Sequence, residues 1–294
     1  MGMRTIIVLV SGCALLTACG GTTTNAGSGL AVVAAENVYG DIAQQIGGAH
    51  VHVTSILSDP RADPHLFEPG SSNGLAVATA KVVIQNGLGY DAFMTRLEDA
   101  APNAQRSVLT IADVLGVAGR DANPHLWYDV PALGQIGSAI EVALERADPK
   151  HRSAYRAGFA RFDASLAPLR REVARIRKAF GGAAIAYTEP VPGYLTDAAG
   201  LKNLAPASFT RAIEEGTEPP PQAVAAMNAL MTGRRVKVLL YNSQAVSPIT
   251  SRVRTEAARA HVPIVGVTET LPTQRSFQQW QLAQARQLAA ALSG

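Results

Sequence analysis

Two of the six histidines in this 294-residue chain stand in the same local setting. One lies in Ala62-Asp63-Pro64-His65-Leu66-Phe67 and the other, sixty residues on, in Ala122-Asn123-Pro124-His125-Leu126-Trp127. Proline fixes its own φ and drives the residue before it toward an extended conformation, so each imidazole is carried on a stiff turn. A ring held in that way suits metal ligation. The other four histidines lack this context. His50 and His52 alternate with Val51 and Val53 and belong on the polar face of a strand, His151 opens a helix, and His261 sits near a helix end.

Two imidazoles make an incomplete metal site, and the second half of the chain offers two acids just beyond strand-like runs. Glu189 follows Ala183 to Tyr187 and precedes the stiff turn Pro190-Val191-Pro192-Gly193, while Glu269 follows Pro263 to Val267. If two lobes face each other, His65 and His125 come from one and Glu189 and Glu269 from the other, and an ion would close the cleft between them. Such a donor set fits Zn²⁺, Mn²⁺ or Fe²⁺ and not Ca²⁺ or Cu⁺. The oxygen donors tilt it toward manganese, whereas the divalent stability order tilts it toward zinc. The choice between the two stays open. Asp129, four residues after His125, is expected to cap the helix beginning near Pro131 rather than to orient the imidazole.

The elements that must position these residues follow a βα alternation. Strands are expected at Ala31 to Ala35, Val51 to Leu57, Lys81 to Gln85 and Ser107 to Thr110, then at Ala183 to Tyr187, Val236 to Tyr241 and Pro263 to Val267. The expected fold is α/β, with two lobes that each hold a mainly parallel sheet flanked by helices. Ligands of open α/β sheets gather beyond the carboxyl ends of the strands, and both Pro-His motifs are expected there. Between the lobes, Asp148-Pro149 and Gly181-Gly182 bracket a helical pattern. Its apolar stripe runs through Tyr155, Phe159, Phe162, Leu166, Leu169, Val173, Ile176 and Phe180. A straight helix of that length would reach about 48 Å, but Pro168 should kink it or divide it. The boundaries are then an N-terminal lobe at 30–148, a linking helix at 149–181 and a C-terminal lobe at 182–294, with the metal site in the interlobe cleft.

The first residues read as an export signal: Arg4 supplies a positive start and Thr5 to Leu16 an apolar run too short to span a membrane. Leu16-Thr17-Ala18-Cys19 looks like a bacterial lipobox, which implies removal of residues 1–18 and lipid on Cys19. The Gly-, Thr- and Ser-rich stretch to residue 29 reads as a tether between lipid and lobe. With two cysteines, one of them in the expected leader, neither a disulfide nor a cysteine-rich metal site is available. A net charge of +3 points to no polyanionic partner, and the basic linking helix of an exported protein is a solvated face and not a nucleic-acid surface.

Taken together, these motifs resemble the solute-binding lipoproteins of bacterial zinc and manganese ABC transporters, the cluster A-I metal-binding family. The resemblance rests on Asp41 to Gly48, on Ala62-Asp63-Pro64-His65-Leu66-Phe67-Glu68-Pro69, on Asn86-Gly87-Leu88-Gly89, on His125-Leu126-Trp127-Tyr128-Asp129, on the long helix, and on Tyr194-Leu195. It implies two lobes joined by that helix and a cargo of one zinc or manganese ion on His65, His125, Glu189 and Glu269. It further implies delivery to an ABC permease with its ATPase, by a monomer anchored through Cys19 to the outer face of the cytoplasmic membrane. In the family the third ligand is histidine in many zinc binders and glutamate in some manganese binders, and the fourth is usually aspartate, so Glu269 departs from the pattern. Two other readings compete: a metal-dependent hydrolase with an open zinc position, and a metal-stabilised adhesin lipoprotein. HExxH and a full Walker motif are absent, and four protein ligands would leave no position for an activated water, so an enzyme is not expected.

Overall fold

The computed structural model describes residues 1–2 and 29–294. Apart from Met1, Gly2 and Gly29, the expected leader and tether lie outside the described residues, Cys19 included. The N-terminal half forms a parallel sheet from β1 (Leu30–Glu36), β2 (Val51–Leu57), β3 (Val82–Gln85) and β4 (Ser107–Thr110), in the order β2-β1-β3-β4. The C-terminal half repeats that order with β5 (Ala184–Tyr187), β6 (Lys202–Asn203), β7 (Val238–Asn242) and β8 (Ile264–Val267), arranged β6-β5-β7-β8 and again all parallel. The two-residue β6 is an element that its short polar sequence does not announce.

Parallel neighbours require crossover connections, and helices supply them on both faces of each sheet. In the N-terminal lobe these are α1 (Asn37–Gly47), α2 (Ser71–Thr79), α3 (Phe93–Ala100), α4 (Ile111–Leu115) and α5 (Leu133–Ala147). After the linking segment come α8 (Gly193–Ala198), α9 (Ala207–Glu214), α10 (Pro221–Thr232), α11 (Pro248–Arg259) and α12 (Phe277–Ser293). No helix among the described residues is long and apolar enough to cross a membrane.

The linking segment is one bent rod in two pieces, α6 (Arg152–Ser165) and α7 (Ala167–Phe180), with Leu166 between them. Pro168 falls in the first turn of α7, where its missing N–H costs least, so the chain divides two residues earlier, at Leu166, instead of breaking at the proline. The predicted stripe faces inward: Tyr155, Phe162, Leu166, Leu169, Val173 and Ile176 are buried, and Phe159 and Phe180 pack beside them. The first piece packs on α1 and α5, the second on α12.

One apolar core therefore runs through both lobes. It includes Val32 and Ile84 from the first sheet, Ile185 and Leu240 from the second, and the linking rod between them. Each sheet also has a private outer cluster, under α2 and α3 in one lobe and under α9, α10 and α11 in the other. The lobes are further tied by Asn37, whose side chain donates to the Leu271 carbonyl at 2.9 Å and accepts from the Leu271 N–H at 2.8 Å.

The tightest helix contact lies at Gly158, where an added Cβ would stand 2.0 Å from the carbonyl oxygen of Ile46 in α1. Helix propensity alone would make Gly158→Ala stabilising by about 1 kcal/mol. Overpacking against a backbone atom should outweigh that gain, for a net loss of about 1–3 kcal/mol. A urea midpoint that stays put or rises would show that α6 can back away from α1 at no cost.

Candidate metal centre

The carboxyl ends of both sheets point into the cleft. His65 lies in the 3₁₀ turn Pro64–Leu66 beyond β2, and the Asp63 side chain accepts a hydrogen bond from the His65 N–H at 3.0 Å. His125 repeats this local geometry, its N–H donating to the Asn123 side chain at 3.1 Å. Its position differs from expectation in one respect: it does not directly follow a strand, since α4 and a loop separate it from β4.

Asn123 does more than close the turn. Its Nδ2 donates to the Pro190 carbonyl of the other lobe at 2.8 Å, which fixes the amide so that Oδ1 faces His125 Nδ1, also at 2.8 Å. Nδ1 therefore carries a hydrogen, and Nε2 is the ring nitrogen turned to the cleft. Asp129 does not hold the ring; it stands at the N-cap of the short turn Val130–Ala132.

On the opposite wall, Glu189 follows β5 and Glu269 follows β8, with β7 between these strands in the sheet. The last residue of β7 is Asn242, and its Nδ2 donates to both acids, closely to Glu189 Oε2 and at 2.7 Å to Glu269 Oε1. Topology thus sets one amide between two carboxylates. Across the cleft, His65 Nε2 lies 2.8 Å from Glu189 Oε1 and 3.8 Å from Glu269 Oε1. His125 Nε2 lies 3.2 Å from Glu269 Oε2, which also accepts from the Tyr90 hydroxyl at 2.8 Å. His65, Glu189 and Glu269 present donor atoms within 4.8 Å of one another, while His125 joins this triad through Glu269.

Both glutamates have fully buried side chains. Burial would push the Glu269 carboxyl up, but the hydrogen bond and charge of His125, the charge of His65 and the Asn242 amide outweigh it and hold the group at about 2. Burial would likewise lower His65, yet the hydrogen bond to Glu189 and the charges of Glu269, Glu189 and Glu214 lift it to about 10. His125 is raised for the same kind of reason, against its own burial. Both histidines are therefore biased toward their protonated forms, and an ion bound through their Nε2 atoms would have to displace those protons.

Three participants carried no sequence signal strong enough to single them out: Asn242, Tyr90 and Glu214, whose Oε2 lies 3.8 Å from His125 Nε2. Asn242 could have been found by extending the β7 pattern one residue. The other histidines lie elsewhere, with His50 stacked on His151 at 3.9 Å between ring centroids and His261 held at the end of α11 with a φ of 54°.

A model of the family described as the zinc-uptake complex component A, periplasmic (ZnuA), matches residues 32–291, and the chain belongs to that family. Among curated relatives, the manganese-binding lipoprotein MntA of Bacillus subtilis (strain 168) is 29% identical over 178 residues, which cover 55% of this chain and 56% of MntA. The chain thus spans about half the length of the curated relatives it matches. Among solved structures, the periplasmic zinc binding protein TroA of Treponema pallidum aligns with a TM-score of 0.76 at 18% identity, over 89% of this chain and 98% of TroA. A Mn-bound variant of the periplasmic metal binding protein of Candidatus Liberibacter asiaticus aligns with a TM-score of 0.75 at 19% identity, over the same shares of the two chains. The shared architecture is two parallel sheets flanked by helices with a long bent helix in the middle.

Asn242→Ala should expose what the amide contributes. Two buried carboxylates would lose their common donor, which should lower the stability of chelator-treated protein by about 1–3 kcal/mol. Calorimetric or optical melting of the variant reads this out, and an unchanged midpoint would mean that Asn242 is incidental.

Proposed function

We propose that this protein captures one zinc or manganese ion outside the cytoplasm and hands it to an ABC permease for uptake, with His65 and His125 on one wall and Glu189 and Glu269 on the other as ligands. The observation that carries this reading is the convergence of two imidazole Nε2 atoms and two buried carboxylates across one cleft, at separations of 2.8 to 3.8 Å. Donors on one first-row ion stand about 3–4 Å apart, so these spans fit a single shared cation. Membership of a zinc-uptake family supports the transport role, and the names of the relatives support either metal as cargo. The cargo is a substrate and not a resident cofactor. Lipid on Cys19 would keep a monomeric receptor at the outer face of the membrane, close to its permease and ATPase.

The shared core bears on the motion involved. Interlobe closure around an ion is small, because a continuous apolar core and a packed rod resist hinge bending. Loading then acts mainly by exchanging imidazole protons for metal charge.

Titration calorimetry on the folded chain tests the ligand set. One Zn²⁺ or Mn²⁺ site of submicromolar affinity is expected, and His65→Ala should weaken it by more than the roughly 10–100-fold that loss of an outer-shell partner costs. No saturable binding of either ion would sink the reading.

The pH dependence has a definite sign. Ligation needs neutral imidazole, and folded His65 keeps its proton until about 10, so binding near neutrality must expel protons and affinity must rise with pH. Repeating the calorimetry in two buffers of different ionisation enthalpy should show net proton release. An enthalpy independent of buffer would contradict the protonated site.

A further inference from the structure

Glu214 is a half-buried acid that four ligands leave unexplained. It ends α9 and lines the interlobe cleft, and its Oε2 is buried with no hydrogen-bond partner. That oxygen lies 3.8 Å from His125 Nε2, the same nitrogen that Glu269 Oε2 approaches at 3.2 Å. A carboxylate oxygen shut away from water without a donor is costly, and such groups in native proteins call for an explanation.

We propose that Glu214 is a fifth protein donor to the captured ion and that it biases the site toward Mn²⁺ over Zn²⁺. The inference rests on the metal-capture reading above. Two donors each about 2.1 Å from one ion stand about 3.0 Å apart at a right angle and about 3.6 Å apart at a trigonal angle. The 3.8 Å span from His125 to Glu214 exceeds the trigonal value by only about 0.2 Å and equals the span from His65 to Glu269. His125 Nε2 thus has two acids near it, Glu269 from the loop after β8 and Glu214 from the end of α9.

The preference follows from coordination number. Zn²⁺ is satisfied by four tetrahedral donors, which His65, His125, Glu189 and Glu269 already supply. Mn²⁺ has no such preference, favours carboxylate oxygen and takes a larger shell. Removing the Glu214 oxygen takes a donor from Mn²⁺ and nothing that Zn²⁺ needs. The rival account makes Glu214 a protonated structural acid, which a glutamine would replace without effect on either ion.

The test is calorimetric titration of Mn²⁺ and of Zn²⁺ into wild type and Glu214→Gln, with Glu215→Gln as the control. The proposal expects Glu214→Gln to weaken Mn²⁺ by about 10-fold or more and Zn²⁺ by less than about 3-fold, with the control unchanged. Equal affinities in the variant and wild type, or equal losses for both ions, would overturn it. X-ray absorption on Mn²⁺-loaded wild type gives an independent readout that does not depend on the variant folding: five or more light donors are expected, and four would overturn the proposal. Wild type that binds neither ion would overturn the metal-capture reading as well, so the two failures are distinguishable.

Discussion

Glu189 and Glu269 are two fully buried acids on one lobe, and that lobe gives them an amide and no cation. Like charges brought together out of water repel and lose hydration, and the Asn242 amide that bridges them offsets only part of the cost. The charge that compensates them comes from the other lobe, through His65 and His125. The position of one sheet relative to the other is therefore coupled to the charge that stands between the four groups.

The remainder of the fold holds those groups in register. Two sheets of the same strand order place their carboxyl ends toward a common cleft, where Asx turns fix both histidines. Gln244 adds a second tie: its amide donates to the Ala62 carbonyl at 3.0 Å, just before the His65 turn, while its oxygen accepts from the Glu269 N–H at 2.6 Å. A displacement of the acid-bearing loop is thus felt at the histidine-bearing one. The bent rod of α6 and α7, and α12 beside it, keep the lobes on one core, so the site is preorganised more than assembled.

Much of this is legible in the sequence. The limits of β2 and β4 coincide with the apolar runs that predict them, and the rod, its stripe and its division near Pro168 follow from helical spacing and proline stereochemistry. His65 and His125 declare themselves because proline and a preceding Asp or Asn restrict the backbone in the same way twice. What stayed hidden was set by tertiary neighbours. The run that predicts β7 spans Val236 to Tyr241, yet the strand runs from Val238 to Asn242, whose amide meets the acids on either side. Glu214, followed by Glu215 and Gly216, resembles any solvated helix end, and only the folded chain brings it within 3.8 Å of His125 on the other lobe. Asn123 was visible as a turn former, but its hold on His125 Nδ1 depends on Pro190 from the far lobe.

The central claim is that one ion is held jointly by both lobes. Anomalous diffraction from crystals grown with Zn²⁺ or Mn²⁺, collected on either side of the metal absorption edge, tests it most directly. The account predicts a single strong peak per chain, within bonding distance of Nε2 of His65 and His125 and of carboxylate oxygens of Glu189 and Glu269. A peak bound by residues of one lobe alone, or one located outside the cleft, would contradict it.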